Sequence, residues 1–446
     1  MAPLHTFPLC RSVATSFTAA LLAAAALAQS ASQPPLDAIA SDPAKLGWMI
    51  GSPPPHDKLI KFSDGSFRTF PQTRWAFSHL REFVPTRVIP RGTGPVSPLP
   101  RHERTDLDAV TFLPLDRKET MTWAQSLLAN YTDGVLVLHR GRIVYERYFG
   151  VLTPERPHIA FSVTKSFVGT LAAALVAEGA LDDHAPVTRY VPELKRSGFG
   201  DATVRQVMDM TVGLKYSEVY ADPKADHWDF TRAGNMLPRP AGYQGPDSYY
   251  EYVVTIPKER EHGDRFAYKT PNASVLGWIL HRATGKSLGD LVQERLWSKL
   301  GVEHDAYFTV DHSGTENGGG GLNLTLRDMA RFGEMIRLDG RFNGQQIVPK
   351  AAVDDIRHGG NRDHFTLAGY KTLPGWSYRD MWWISHNEHG AFAARGIHGQ
   401  CIYIDPKAEM VIIRFASHPI AANSNFDATS LPAFQALANH LMAAPH

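Results

Sequence analysis

A serine and a lysine stand three residues apart at the start of a long apolar stretch, HIAFSVTKSFVGTLAAALVAEGAL, over residues 158–181. On a helix, this spacing places the side chains of Ser162 and Lys165 about 60° apart and about 4.5 Å along the axis, so their functional groups can meet. A serine hydroxyl is a weak nucleophile until a base removes its proton. The pair therefore predicts a nucleophile, Ser162, served by Lys165.

Lys165 is the only charged residue between Ser162 and Ala177, so the helix has no polar face that would explain a lysine. In a dry pocket, desolvation disfavours the ammonium form and lowers the pKa, which lets the amine accept a proton or support another base. The free N–H groups at a helix start also favour an anionic oxygen. The alternative is structural: Ser162 caps the helix and Lys165 extends to water.

The elements that must position this pair are strands at both ends of the chain. Two strands joined by a turn are predicted by GVLVLHRGRIVYERYFG, and further strands are predicted by DMWWIS, GAFAARGIHG, QCIYIDP and EMVIIRFAS. Helical and loop-rich sequence lies between them, and LPAFQALANHLMAA closes the chain as a helix. This order predicts an α/β (α+β) fold, with an antiparallel sheet completed by both termini, flanking helices and a mainly helical lobe at about 158–370. A site between sheet and lobe is expected.

Three segments are expected along the chain. Residues 1–28 carry Arg11, an alanine-rich apolar run and a final ALA, which is typical of a cleaved secretory signal, with an N-terminal membrane anchor as the alternative. Residues 29–105 form a proline-rich arm, since 12 of the 31 prolines fall between Pro34 and Pro100. Residues 106–446 form the main domain. We expect a periplasmic or secreted protein with no membrane span once the signal is removed.

Charge and cysteine content exclude several classes of protein. After residue 28 the chain has 45 Lys and Arg against 45 Asp and Glu, so nothing indicates nucleic acid or an anionic membrane as a partner. Cys401 is then the only cysteine, which excludes an intrachain disulfide, and its strand-like surroundings predict a buried, inert thiol. His386 and His389 lie in a predicted hairpin turn, and the other histidines lack ligand spacing. We expect neither a metal nor a cofactor.

The segments FSVTKSFVGTLAAALVAEGALDDHAPVTRYVPEL, VRQVMDMTVGLKYSE and LNLTLRDMARFGEMI, in this order, resemble the serine β-lactamase and penicillin-binding protein superfamily. Within it, the chain is most similar to the class C-like branch of 6-aminohexanoate-dimer hydrolases and related esterases. The resemblance runs from about residue 106 to the C-terminus and implies a β-lactamase-like fold. It implies a serine hydrolase that cleaves small amides or esters through an acyl-enzyme on Ser162.

The resemblance also implies further site residues. Tyr268 in GDRFAYKTPNAS matches the family's Tyr-x-Asn motif, in which the phenol relays a proton, with Tyr216 in GLKYSE as its rival. Thr270 stands where that motif has Asn. The run ARGIHGQ matches the Lys-Thr-Gly strand, with Ala394 and Arg395 in place of Lys and Thr.

In that run, Gly396 takes the place of the motif glycine and allows close approach of the substrate, with a β-bulge as the structural alternative. The next residue, Ile397, would complete an oxyanion hole with the N–H of Ser162. Tyr220 matches a tyrosine that contacts the scissile amide, and His398 is a further candidate for substrate contact. Both have structural alternatives: loop packing for Tyr220 and a neighbouring partner for His398.

Two other functions stay open. A D,D-peptidase or weak β-lactamase is the first, although Ala394 and Thr270 lack the side chains that would bind a β-lactam. A non-catalytic, penicillin-recognising binding protein is the second. The expected partner is a small amide or ester, not nucleic acid, and the sequence does not indicate an oligomeric state.

Overall fold

A computed structural model describes residues 34–443. The predicted secretory signal at residues 1–28 lies outside the described residues. By compactness the chain divides into Met1–Leu36 and Asp37–His446.

The chain forms fourteen α-helices and fifteen strands within the described range. The helices are α1 Pro43–Leu46, α2 Thr73–Ala76, α3 Trp123–Ala129, α4 Val163–Ala177, α5 Val204–Met208, α6 Asp226–Ala233, α7 Tyr249–Val253, α8 Pro271–Thr284, α9 Leu288–Val292, α10 Ser298–Leu300, α11 Leu326–Arg337, α12 Lys350–His358, α13 Arg362–Thr366 and α14 Asp427–Ala443. The strands are β1 Thr86–Ile89, β2 Thr111–Phe112, β3 Met121–Thr122, β4 Thr132–His139, β5 Arg142–Tyr148, β6 His158–Ile159, β7 Ala306–Thr309, β8 Leu322–Leu324, β9 Arg341–Phe342, β10 Gln345–Gln346, β11 Ser377–Arg379, β12 Trp382–Ile384, β13 Phe392–Arg395, β14 Cys401–Asp405 and β15 Met410–Ala416.

The main sheet has seven antiparallel strands in the order β11-β12-β13-β14-β15-β4-β5. Strands from the first third of the chain thus complete a sheet begun by its C-terminal part, as the sequence predicted. Strand β4 separates two cores, because its side chains alternate between the faces of the sheet. Leu136 and Leu138 share one buried cluster with α4 and α11, whereas Val135 and Val137 share another with α3 and α14. The predicted α+β fold is confirmed.

Helix α4 is the most enclosed helix next to the site. Its residues from Val163 to Leu175 are all buried, which explains why its sequence is almost free of charge. Gly169 is required on this helix, since a Cβ at that position would collide with the carbonyl oxygen of Asp380. This close approach fixes α4 against the loop between β11 and β12.

The proline-rich segment before residue 105 packs beside the start of α4. Trp75, Phe77 and Leu80 are buried in one cluster that includes Phe161, and the rings of Phe77 and Phe161 are 4.9 Å apart. The segment contains α1, α2 and β1, and β1 pairs with β7 in a second sheet of order β1-β7-β8-β6. It therefore supplies part of the wall around the predicted nucleophile. The boundary at residue 105 and the limits of the helical lobe stay predictions.

Candidate active site

Ser162 and Lys165 meet at the N-terminus of α4. Ser162 is the N-cap residue, but its hydroxyl makes no capping hydrogen bond. The Lys165 Nζ donates to Ser162 Oγ at 3.0 Å and to the Gly319 carbonyl oxygen at 2.6 Å. Only 1% of Lys165 is exposed. The lysine therefore turns inward to the hydroxyl instead of extending to water.

The surroundings of Lys165 favour the neutral amine. Burial lowers its pKa from 10.5 to about 8, and the negative charge of Glu218 opposes part of that effect. About a tenth of such a lysine is unprotonated at pH 7, roughly 300 times more than for an ordinary lysine. The amine is thus able to accept a proton from Ser162 near neutral pH.

Tyr268 lies beside this amine. The Lys165 Nζ is 5.1 Å from the centre of the Tyr268 ring, which stacks on Trp383 at 5.4 Å. Burial, followed by the charge of Glu218, raises the pKa of Tyr268 well above its usual value, while a hydrogen bond with Ser162 acts in the opposite direction. The phenol therefore stays protonated and can donate. Its rival Tyr216 is buried elsewhere, with its hydroxyl 3.5 Å from His227 Nδ1.

Two backbone N–H groups belong to residues that line the cleft at the candidate nucleophile, those of Ser162 itself and of Ile397. Gly396 passes so close to Ser162 that a Cβ there would lie 2.7 Å from the Ala160 oxygen and 3.1 Å from the Ser162 nitrogen. Within residues 34–443, no hydrogen bond uses the N–H of Ser162 or of Ile397. Phe161, directly before Ser162, has φ of +43°, a conformation that costs energy in a non-glycine residue and is frequent at active sites. An oxyanion hole requires backbone donors of this kind next to the nucleophile.

Arg395 on β13 is not free to bind a substrate. Its guanidinium pairs with the carboxylate of Asp427 at the start of α14 and lies over the ring of Trp383 at 5.2 Å. Ala394, one residue earlier, is fully buried. The strand that faces Ser162 therefore offers backbone groups, not a free cation.

Tyr220 and His398 both line the cleft that contains Ser162, which has a volume of about 1200 Å³. The Tyr220 hydroxyl donates to Glu218 Oε1 at 2.7 Å. His398 Nδ1 donates to the carbonyl oxygen of His418 at 2.7 Å, and burial lowers the pKa of His398 to about 3. His398 is therefore neutral and already partnered, so its ring contributes shape to the cleft and no charge.

Sequence reasoning missed three residues around Ser162, two that line the cleft and one, Asn317, that lines a smaller pocket beside it. Glu218 accepts hydrogen bonds from Thr270 N–H and Thr270 Oγ1, both at 2.6 Å, and so ties the loop before α8 to the site. Asn317 accepts from the Gly319 N–H at 3.1 Å and supports the glycine-rich turn whose oxygen binds Lys165. Arg68 lines the cleft from the proline-rich segment. Of the three, only Glu218 could have been found from the local sequence, because it is the one acidic residue beside Tyr220 in YSEVY.

The remaining candidates lie apart from the cleft. Cys401 is buried on β14, and burial raises the pKa of its thiol to about 11. His386 pairs with Ser377 and His389 with Asp405, both at 2.7 Å. Among the described residues, no cluster of His, Cys, Asp and Glu is suited to a metal ion, and no helix is both long and apolar enough to span a membrane.

Comparisons with known proteins agree with this geometry. Residues 124–434 match the family model described as Beta-lactamase. A 6-aminohexanoate-dimer hydrolase from Paenarthrobacter ureafaciens is 35% identical over 355 residues, which cover 79% of this chain and 88% of the relative. Esterase EstB from Burkholderia gladioli is 27% identical over 195 residues, which cover 40% of this chain and 47% of the esterase. A solved structure from Bacillus anthracis, assigned as a 6-aminohexanoate-dimer hydrolase, is 32% identical and has a TM-score of 0.78. The match covers 89% of this chain and the whole of the Bacillus anthracis chain.

Proposed function

This chain is a serine hydrolase of the beta-lactamase family, and we propose that it cleaves small ester and amide substrates through a covalent acyl-enzyme on Ser162. The family and the enzyme class expected from the sequence are confirmed. The substrate class is supported by the likeness to a 6-aminohexanoate-dimer hydrolase and an esterase, and the covalent intermediate by the contact between Ser162 and Lys165.

The observation that carries the proposal is the contact between Lys165 Nζ and Ser162 Oγ at 3.0 Å in a buried site. In the neutral form the amine takes the hydroxyl proton while Ser162 Oγ attacks the carbonyl carbon of the substrate. The carbonyl oxygen becomes an oxyanion and receives hydrogen bonds from the N–H groups of Ser162 and Ile397. Such donors typically contribute about 3 kcal/mol to acyl transfer.

Tyr268 completes the acylation step. As a protonated phenol next to both Ser162 and Lys165, it donates its proton to the departing alcohol or amine and regains one from the Lys165 ammonium. The carbonyl–leaving-group bond breaks and the Ser162 ester forms. Water then attacks this ester with the amine again as base, and the acid is released with Ser162 restored.

A D,D-peptidase or β-lactamase function is less well supported. Thr270 replaces the motif amide and donates its hydroxyl to Glu218, while Arg395 pairs with Asp427. A β-lactam carboxylate would thus find neither an amide nor a free cation on these two elements. An ester, with its better leaving group, needs fewer such contacts.

The experiment that tests the proposal compares wild type with Ser162→Ala. A fluorophosphonate probe should label the wild type and not the variant, and hydrolysis of p-nitrophenyl butyrate should fall to background only in the variant. Circular dichroism serves as the control that the variant folds. Labelling at another serine, or retained ester hydrolysis in a folded variant, would overturn the assignment, and a wild type that neither labels nor turns over would favour a non-catalytic binding protein.

We also propose that the enzyme is exported and acts in the periplasm or outside the cell on a small molecule. The support is the signal-like pattern of residues 1–28. The balanced charge of the rest of the chain gives no reason to expect nucleic acid as a partner.

A further inference from the structure

A guanidinium enters the active-site cleft from outside the matched family region. Arg68 ends a short 3-10 turn, Ser66–Arg68, and lines both the large cleft and a smaller pocket beside Ser162. Its guanidinium carbon lies 5.7 Å from the centre of the Phe161 ring, next in sequence to the nucleophile. Within residues 34–443 the Arg68 side chain makes no ion pair and no hydrogen bond.

The smaller pocket has no other charge at neutral pH. Aromatic and thioether side chains form much of its wall, among them Phe230, Met236 and Tyr249, and no residue that lines it carries a carboxylate. His227 also lines it, but burial lowers the pKa of that ring to about 4. Burial lowers the pKa of Arg68 only to about 10, so the guanidinium stays charged at pH 7.

The carboxylates of the large cleft are already engaged, unlike Arg68. Glu218 accepts hydrogen bonds from Thr270 and Tyr220. Asp427 pairs with Arg395 and accepts from Thr372 Oγ1 at 2.6 Å. A cation left without an internal partner in a half-buried pocket is suited to an anionic group of the substrate.

The position of Tyr268 indicates which part of the substrate reaches Arg68. The proposed proton donor must stand beside the leaving group, and Tyr268 lines the large cleft but not the smaller pocket. Ser162 and Ile397, the nucleophile and an oxyanion donor, line both. The smaller pocket is therefore the space that remains for the acyl chain. Arg68 lines both spaces, but its guanidinium lies over the ring of Phe161, which lines the smaller pocket and not the large cleft.

We infer that Arg68 binds a carboxylate carried by the acyl group of the substrate, so that monoesters and monoamides of dicarboxylic acids are the preferred substrates. The inference rests on the proposed function, since it assigns a specificity to the same site. A bidentate guanidinium–carboxylate pair gives direction as well as attraction. An acyl chain that ends in an ammonium would meet a like charge, so the preferred acyl group of this chain would differ from that of a 6-aminohexanoate dimer, whose acyl half ends in an amine.

The test uses p-nitrophenyl esters with one leaving group and three acyl groups: adipate with a free carboxylate, its methyl ester, and an acyl chain that ends in an ammonium. The measured quantity is the ratio of kcat/KM for the free adipate to that for its methyl ester. In the wild type this ratio should be about tenfold or more, and Arg68→Met should bring it near one. Arg68→Lys should restore part of the ratio, because it keeps the charge without the fork of two donors. The ammonium ester should be the poorest substrate of the wild type and should gain relative to the adipate in Arg68→Met.

The matched control is Arg232→Gln, which removes a cation that lines the same cleft but is already paired with Asp229 at 2.8 Å. It should leave the ratio as in the wild type. Two results would overturn the assignment of Arg68 while leaving the proposed function intact. The first is an equal loss of the ratio in the Arg232→Gln control. The second is a wild-type ratio near one together with Ser162-dependent hydrolysis of the methyl ester. Absence of any Ser162-dependent hydrolysis would instead refute the proposed function.

Discussion

Lys165→Met should abolish hydrolysis and yet make the fold more stable at neutral pH. Lys165 is 1% exposed, and the hydrogen bonds of its Nζ go to two neutral oxygens, Ser162 Oγ and the Gly319 carbonyl oxygen. Burial of a charged ammonium in such a place destabilises the folded state. The same burial lowers the pKa of the amine, as the proposed proton transfer requires. Methionine has nearly the same shape and carries no charge.

The magnitude follows from the pKa of Lys165, which burial lowers from 10.5 to about 8. Because the unfolded chain binds the proton more tightly, the destabilisation is fully present below pH 8 and is relieved as the pH rises to 10.5. It is about 3 kcal/mol at pH 7 and about 1 kcal/mol at pH 10. The two lost hydrogen bonds cost about 1 kcal/mol each. The variant should therefore be about 1 kcal/mol more stable than the wild type at pH 7 and about 1 kcal/mol less stable at pH 10.

Urea unfolding followed by circular dichroism, at pH 7 and pH 10, measures both free energies of unfolding. All other titrating groups are shared and cancel in the difference between the two proteins. Lys371→Met, at an exposed lysine of the same cleft, is the matched control and should change stability by less than about 0.5 kcal/mol at either pH. A difference between wild type and Lys165→Met that does not change with pH would refute the reasoning about the buried amine.

Four further outcomes are expected. The kcat/KM of wild type on p-nitrophenyl butyrate should fall about tenfold per pH unit below pH 8 as Lys165 gains its proton. Glu218→Gln should shift this acidic limb of the pH profile to lower pH, because the carboxylate of Glu218 raises the pKa of Lys165. An acidic limb at the same pH in both proteins would exclude this electrostatic coupling between Glu218 and Lys165. Lys165→Arg should be about as inactive as Lys165→Ala in the same assay, because a guanidinium cannot accept the proton; near-normal turnover would mean that the lysine acts only as a positive charge. Gly396→Ala should lower kcat about 100-fold, because the Cβ of the new alanine would press on the Ser162 nitrogen in the proposed oxyanion hole. A kcat equal to that of wild type would show that the reaction does not need a glycine at this position. Steady-state kinetics should give a kcat/KM for nitrocefin below that for p-nitrophenyl butyrate, and the reverse order would favour the β-lactamase alternative.

The sequence by itself determined the features that depend on short spacings. The spacing of three residues from Ser162 to Lys165 on an apolar helix was enough to predict that the two groups meet, because helix geometry fixes their separation. Alternating and apolar runs predicted β4, β5 and the C-terminal strands, and the order of motifs predicted the family. Gly396 and Ile397 were reachable only by resemblance, and the structure places them beside Ser162 without testing their roles.

The tertiary structure alone decided what surrounds that pair. The sequence already favoured Tyr268 over Tyr216 by resemblance, but the position of the Tyr268 ring 5.1 Å from Lys165 Nζ depends on how loops pack on α4, which no local pattern encodes. Arg395 stands in the run that matches the Lys-Thr-Gly strand, and only the structure shows that its charge is paired with Asp427, 32 residues later. Arg68 reaches the cleft from a proline-rich segment with no recognisable motif. Contacts between residues far apart in sequence form only when the whole chain has packed, because each depends on the burial of surfaces contributed by several elements.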